Sequence, residues 1–143
     1  GEDMAGQSIC GTLIKQIHDE LERNTNNSMR SYDITMAQYN ALSALDGSAD
    51  GQLSLKELEH LLHVAQSTVA GIVSRLEQKE LVKTFGSMDD RRVKMVQITP
   101  QGVGCCQRAD QDMQCAEEAL LSGLTDAERE IFLILLKKVC RTL

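Results

Sequence analysis

The sequence predicts a mainly α-helical chain with a small β-hairpin wing: a winged helix-turn-helix lobe carried between N- and C-terminal dimerisation helices. Three observations lead there. Residues 53–102 read as two short amphipathic helices, a strand, a charged turn and a second strand, an order usual in readers of duplex DNA. The second of those helices has a clean apolar stripe. Both chain ends carry amphipathic helices whose apolar surface exceeds what one small lobe can cover. The expected organisation is a single unit over 1–143, with the lobe at 33–99 and dimerisation helices at 5–24 and 100–143.

The elements follow in order. Within 8–24, Ile9, Leu13, Ile14, Ile17 and Leu21 share one helical face. A short strand near Gln52 leads into Ser54 and Glu57, whose spacing is that of a capping box opening the next helix. In the helix over 66–79, Val69, Ile72, Val73 and Leu76 fall at i, i+3, i+4 and i+7 and predict a buried stripe. Its other face shows Ser67, Thr68, Ala70, Gly71, Ser74, Arg75 and Gln78, small or hydrogen-bonding and nearly uncharged. A merely solvated face would be richer in Glu and Lys. Gly71 costs about 1 kcal/mol against Ala within a helix, which makes sense where a backbone must approach something bulky. The plainer alternative is a surface helix with an incidental glycine, and the wing decides between them.

That wing is expected from strands at 81–85 and 93–98, both rich in strand-favouring residues. Between them runs the polar turn from Gly86 to Arg92, with two arginines at its far end. An arginine at a hairpin tip can enter a narrow minor groove, where negative potential is concentrated. The alternative is a solvated turn whose Asp and Arg pair with each other, and such pairs add little stability.

Thr99 followed by Pro100 starts the next helix, with a capping hydroxyl and a proline at the first position. Gly102, Cys106, Ala109, Met113, Ala116 and Leu120 then recur at spacings suited to close helix approach. Ser122-Gly123 breaks the pattern. Thr125 and Glu128 form a second capping box, opening a last helix with Ile131, Phe132, Leu135, Leu136 and Val139 expected inside. Another copy of the chain is the simplest cover for the apolar excess.

Charge and composition set limits. The net charge is −6, yet residues 66–96 hold six Lys/Arg against four Asp/Glu and so carry +2. Phosphate affinity follows local placement of cations, so the acidic total argues only against sequence-blind coating of DNA. No apolar run reaches the length of a membrane span, and no hydrophobic secretion signal is expected. Cys10, Cys105, Cys106, Cys115 and Cys140 are an odd set without disulfide-framework spacing, which points to a reducing cytoplasm.

The ordered set Ile34-Thr35-Met36-Ala37-Gln38-Tyr39, Leu42, Leu45, Leu55, Leu58, Ser67-Thr68-Val69, Arg75-Leu76-Glu77, Leu81-Val82, Asp90-Arg91-Arg92 and Ile98-Thr99-Pro100-Gln101-Gly102 resembles the MarR (multiple-antibiotic-resistance regulator) family. The resemblance covers residues 34–102. It implies a homodimeric repressor whose two recognition helices address half-sites about one helical turn apart, released by a small-molecule effector. It places Gln66, Ser67, Thr68, Ala70, Gly71, Ser74 and Arg75 at the major groove, and Asp90, Arg91 and Arg92 in the wing. Arg92 becomes the minor-groove arginine, Asp90 its aspartate, and Arg75 a partner or phosphate contact. Many members carry bulkier polar residues where this chain has Ala70 and Gly71. The family's effector pocket, among its first, second and fifth helices, maps to Ile14, His18, Met36 and Tyr39.

Two other readings compete. Residues 46–57, from Asp46 to Glu57, have the ligand spacing of an EF-hand calcium loop and would suit a calcium-binding interaction protein. Against it, Ser48 stands at a position usually held by a carboxylate or amide, no second loop exists, and Glu57 is needed as a cap. A thiol-oxidation switch at Cys10 is the other; peroxide-sensing members support that cysteine with tyrosines from the same helix, and 8–24 has none. His60 and His63 lie three apart without further ligands at metal spacing. No catalytic constellation stands out, and neither enzyme activity, cofactor nor metal is expected.

Overall fold

The computed structural model describes residues 9–143; the part of the expected first helix at 5–8 lies outside them. The order is α1 (Ile9–Ser31), α2 (Met36–Asp46), a 3-10 turn (Ala49–Gly51), β1 (Gln52–Ser54), α3 (Leu55–Leu62), α4 (Gln66–Gln78), β2 (Val82–Gly86), β3 (Lys94–Ile98), α5 (Pro100–Leu120) and α6 (Asp126–Cys140). This is the winged helix-turn-helix arrangement with long helices at both ends.

Capping defines the boundaries. Ser54 Oγ accepts from the Glu57 amide at 3.0 Å while Glu57 Oε1 accepts from the Ser54 amide at 2.9 Å, and Thr125 with Glu128 repeats the pattern at α6. Thr99 Oγ1 accepts from the Gly102 amide at 3.0 Å beside Pro100 at the start of α5. A third box was not expected: Thr35 and Gln38 cap each other reciprocally at the head of α2. His63, with φ 55°, turns the chain out of α3, and Glu80, with φ 62°, does so after α4.

The three strands form one antiparallel sheet ordered β1-β3-β2, with Leu53 opposite Val96 and Val82 opposite Ile98. The strands are shifted against expectation. The Leu81 amide donates to the Leu76 carbonyl and the Leu81 carbonyl accepts from the Thr99 amide, so Leu81 belongs to the turn, while the Val93 amide donates to the Asp90 carbonyl at 2.9 Å and closes the wing. Leu42, Leu45, Leu58, Val69, Leu76, Val96 and Cys106 are fully buried at the centre. Gly102 lets α5 press on that core, because a Cβ there would stand 2.1 Å from the Leu81 carbonyl oxygen.

Two expectations need correction. The first helix does not stop at residue 24 but runs to Ser31. Its second half is polar and asparagine-rich, a poor helix former by composition; tertiary contact holds it, with Met29 buried and Ser28 Oγ donating to Asp112 at 2.8 Å. The last helix does not put its apolar residues inside its own chain. Ile131, Leu135, Leu136 and Val139 are exposed and Phe132 is half-buried, because α6 makes little contact with the rest of its own chain. The small-residue pattern of α5 does face inward: Gly102, Cys106 and Ala109 are buried, and Met113 half-buried.

Candidate nucleic-acid interface

The apolar stripe of α4 roots the helix. Val69, Val73 and Leu76 are buried and Ile72 half-buried, which leaves Gln66, Ser67, Thr68, Ala70, Gly71, Ser74 and Arg75 facing solvent. No atom lies within 4 Å of where a Gly71 Cβ would sit, so nothing inside the chain demands a glycine there. At the other end, Lys79 Nζ donates to the Asp33 carbonyl and, at 3.1 Å, to Gln38 Oε1, tying the helix to the start of α2. Sequence reasoning missed this anchor, since a lysine after a helix reads as a solvated terminus.

The wing is locked to the same helix. Thr84 Oγ1 donates to Glu77 Oε2 at 2.7 Å, joining β2 to the last turn of α4. The Ser87 amide bonds the Val93 carbonyl at 2.8 Å and closes the hairpin tip. A side chain at Gly86 would crowd the Arg91 backbone, with its carbonyl oxygen at 3.0 Å. Within the tip Asp90 accepts from the Arg92 amide at 3.0 Å and from the guanidinium Nε and Nη2 at 3.1 and 3.2 Å. The Arg92 side chain is nonetheless 92% exposed. The Arg92 side chain and its amide hold the Asp90 carboxyl below the usual carboxylate range. The result is an aimed, solvent-facing cation rather than a free one. Arg91 is also exposed beside it.

A groove of about 410 Å³ joins the two parts. Gln66 at the head of α4, Ser54 and Lys56 at the head of α3, and Arg92 and Lys94 from the wing all line it. Lys56 and Lys94 are additions to the expected residues, placed by topology that spacing alone does not reveal.

The remaining candidates scatter. Ile14 lines a cavity shared by α1, α5 and α6. His18 is exposed, its Nε2 3.0 Å from Glu22. Met36 is exposed at the start of α2. Tyr39 is half-buried and donates to Asp110; burial, then that carboxylate, push its phenol up to about 12. The structure does not bring these four into one pocket. Cys10 is exposed near the start of α1, whereas Cys105 and Cys106 are buried; burial and neighbouring carboxylates push the Cys106 thiol up to about 12. The EF-hand-like segment keeps Glu57 in its capping box, and the Ser48 hydroxyl donates to the Leu45 carbonyl at 2.6 Å. Among the described residues the gathered group of potential metal ligands is instead His18, Asp19 and Glu22, all exposed on α1. The His60 and His63 rings sit 6.4 Å apart.

The sequence profile of the MarR family matches residues 32–92, from the end of α1 through the wing tip. The multiple antibiotic resistance protein MarR of Salmonella typhimurium is 29% identical over 133 residues, 90% of this chain and 89% of its own. The chain is similar to the MarR family along its winged helix-turn-helix lobe. Its fold is also that of the YusO protein of Bacillus subtilis, with a TM-score of 0.86, 23% identity and 94% of both chains covered. A Cys-to-Ser variant of MarR from E. coli, solved with operator DNA, matches at a TM-score of 0.67 and 28% identity over 90% of this chain and 91% of its own. By that similarity the chain is a transcription regulator. Among the described residues no helix is long and apolar enough to cross a membrane.

Proposed function

We propose that the protein is a homodimeric repressor that binds a two-half-site operator in the cytoplasm and is released by a small-molecule effector. One observation carries the DNA reading: Gln66 of α4 and Arg92 and Lys94 of the wing line a single groove. One duplex can therefore engage the polar face of α4 in its major groove and Arg92 in the adjacent minor groove. The operator complex of the E. coli MarR variant supports the same partner here. The exposed apolar residues of α1 and α6 support the second copy.

Release follows from linkage. An effector that binds better when the two recognition helices are wrongly spaced for the operator lowers DNA affinity by its preference for that state. The test is fluorescence anisotropy against duplex from the gene's own upstream region and a scrambled duplex, over a range of salt concentrations. Tighter binding to the native duplex, with a salt slope about one unit smaller for Arg92→Ala, is expected. Absence of binding to either duplex at low salt overturns the reading.

A further inference from the structure

The wing tip carries one residue out of keeping with its surroundings. From Gly86 to Arg92 it reads Gly-Ser-Met-Asp-Asp-Arg-Arg, small or charged everywhere except at Met88. The Met88 side chain is 95% exposed, and among the described residues the one large apolar side chain more exposed is the terminal Leu143. Turns favour Gly, Asn, Asp and Ser for backbone reasons, and none of those reasons selects methionine.

Nor does looseness of the chain account for it. The Ser87 amide donates to the Val93 carbonyl at 2.8 Å on one side of Met88, and the Asp89 amide donates to the Ser87 hydroxyl at 3.3 Å on the other. Gly86 lies against the Arg91 backbone. A fixed backbone thus holds an apolar side chain out in water, four residues from the aimed Arg92. Two aspartates balance two arginines over the tip, so attraction to phosphate does not by itself seat it on DNA. An uncharged contact can.

The minor groove offers one. It is about 6 Å wide, its walls are deoxyribose rings, and methionine is among the apolar side chains that proteins insert there. An unbranched thioether adapts to an irregular slot. From the exposed Met88 on a hydrogen-bonded tip beside Arg92, we infer that Met88 is a further duplex contact and a specificity determinant. It enters the minor groove with Arg92 and packs against the sugar walls. A·T pairs are favoured beneath it, because the 2-amino group of guanine projects into the same space. This contact presupposes the duplex engagement proposed above and adds a base preference to it.

The test is anisotropy on a duplex that the wild-type protein selects from a randomised pool. Variants of that duplex carry A·T, inosine·C or G·C pairs where Arg92→Ala loses hydroxyl-radical protection. Met88→Ser should bind the A·T duplex about tenfold more weakly, with the melting temperature and salt slope of wild type, whereas Arg92→Ala reduces the slope. Met88→Leu, close in volume, should keep its affinity near wild type. Wild type should bind the inosine duplex as it binds A·T and the G·C duplex more weakly, and Met88→Ser should narrow that gap. Equal affinity of wild type and Met88→Ser, or an unchanged gap, overturns the Met88 contact while leaving the repressor reading in place. Failure of wild type to select any duplex overturns both.

Discussion

Asp90 engages Arg92 three times, through the backbone amide and two guanidinium nitrogens, while leaving the arginine side chain almost wholly in solvent. An exposed pair of this kind adds little to folding. Its effect is on orientation, because a long flexible cation is restricted to one direction before any partner arrives, and that ordering cost is not incurred on binding.

Arg92→Ala is therefore expected to weaken duplex binding severely with the dimer and melting temperature unchanged. Asp90→Ala keeps the cation but frees it, so affinity should fall by a smaller factor and the salt slope should stay near wild type. Anisotropy titrations of both variants at several salt concentrations check this. Equal affinities for wild type and Arg92→Ala would sink the wing assignment.

The bond from Thr84 to Glu77 joins the wing to the last turn of α4. Thr84→Val removes the donor at a partly solvated site, so stability should fall by no more than about 1 kcal/mol. Duplex affinity should fall several-fold, as the wing no longer holds a fixed angle to the helix. Urea denaturation and anisotropy on one preparation separate the two effects.

Much of this was legible in the sequence for local reasons. Ser54 with Glu57, and Thr125 with Glu128, are short-range signals that need no tertiary context. Thr35 with Gln38 carries the same signature and could have been found by the same rule. The α4 stripe is legible because a single period of 3.6 sorts its residues into buried and exposed. Other features depend on distant partners. The Ser28 and Tyr32 hydroxyls meet Asp112 across some eighty residues, and that contact, not propensity, carries α1 to Ser31. Lys56 and Lys94 reach one groove only once β1 pairs with β3.

Two glycines should behave oppositely. Gly102→Ala drives a methyl group into the Leu81 carbonyl, and displacing packed backbone should cost about 1–3 kcal/mol or more. Gly71→Ala meets nothing and should stabilise α4 by up to about 1 kcal/mol. Where DNA backbone or bases approach that face closely, the stabilised variant binds duplex more weakly. Unchanged affinity would make Gly71 an incidental surface residue.

Alkaline pH should expose the α2–α5 contact. Burial and Asp110 raise the Tyr39 phenol to about 12, and its hydrogen bond to Asp112, with burial, raises Tyr32 as well. For a group with a raised folded-state value, the stabilisation is complete below the unfolded value, about 10, and is lost as pH rises through the folded one. Stability should thus hold to about pH 10 and decline towards 12. Absorbance at 295 nm should show both tyrosines of the chain ionising late, and early ionisation of either would contradict the contact.

The calcium-like loop offers a last discrimination, because the two roles of Glu57 respond differently to one substitution. As a cap it accepts from the Ser54 amide through a single side-chain oxygen, and glutamine does this equally well. As a bidentate calcium ligand it needs both oxygens and the charge. Glu57→Gln should therefore leave the melting temperature close to wild type, whereas Glu57→Ala should lower stability by roughly 1 kcal/mol. Millimolar calcium should leave all three proteins unchanged. A calcium-induced rise in wild-type melting temperature that Glu57→Gln abolishes would require the capping box to open, and would return the loop to the list of working sites.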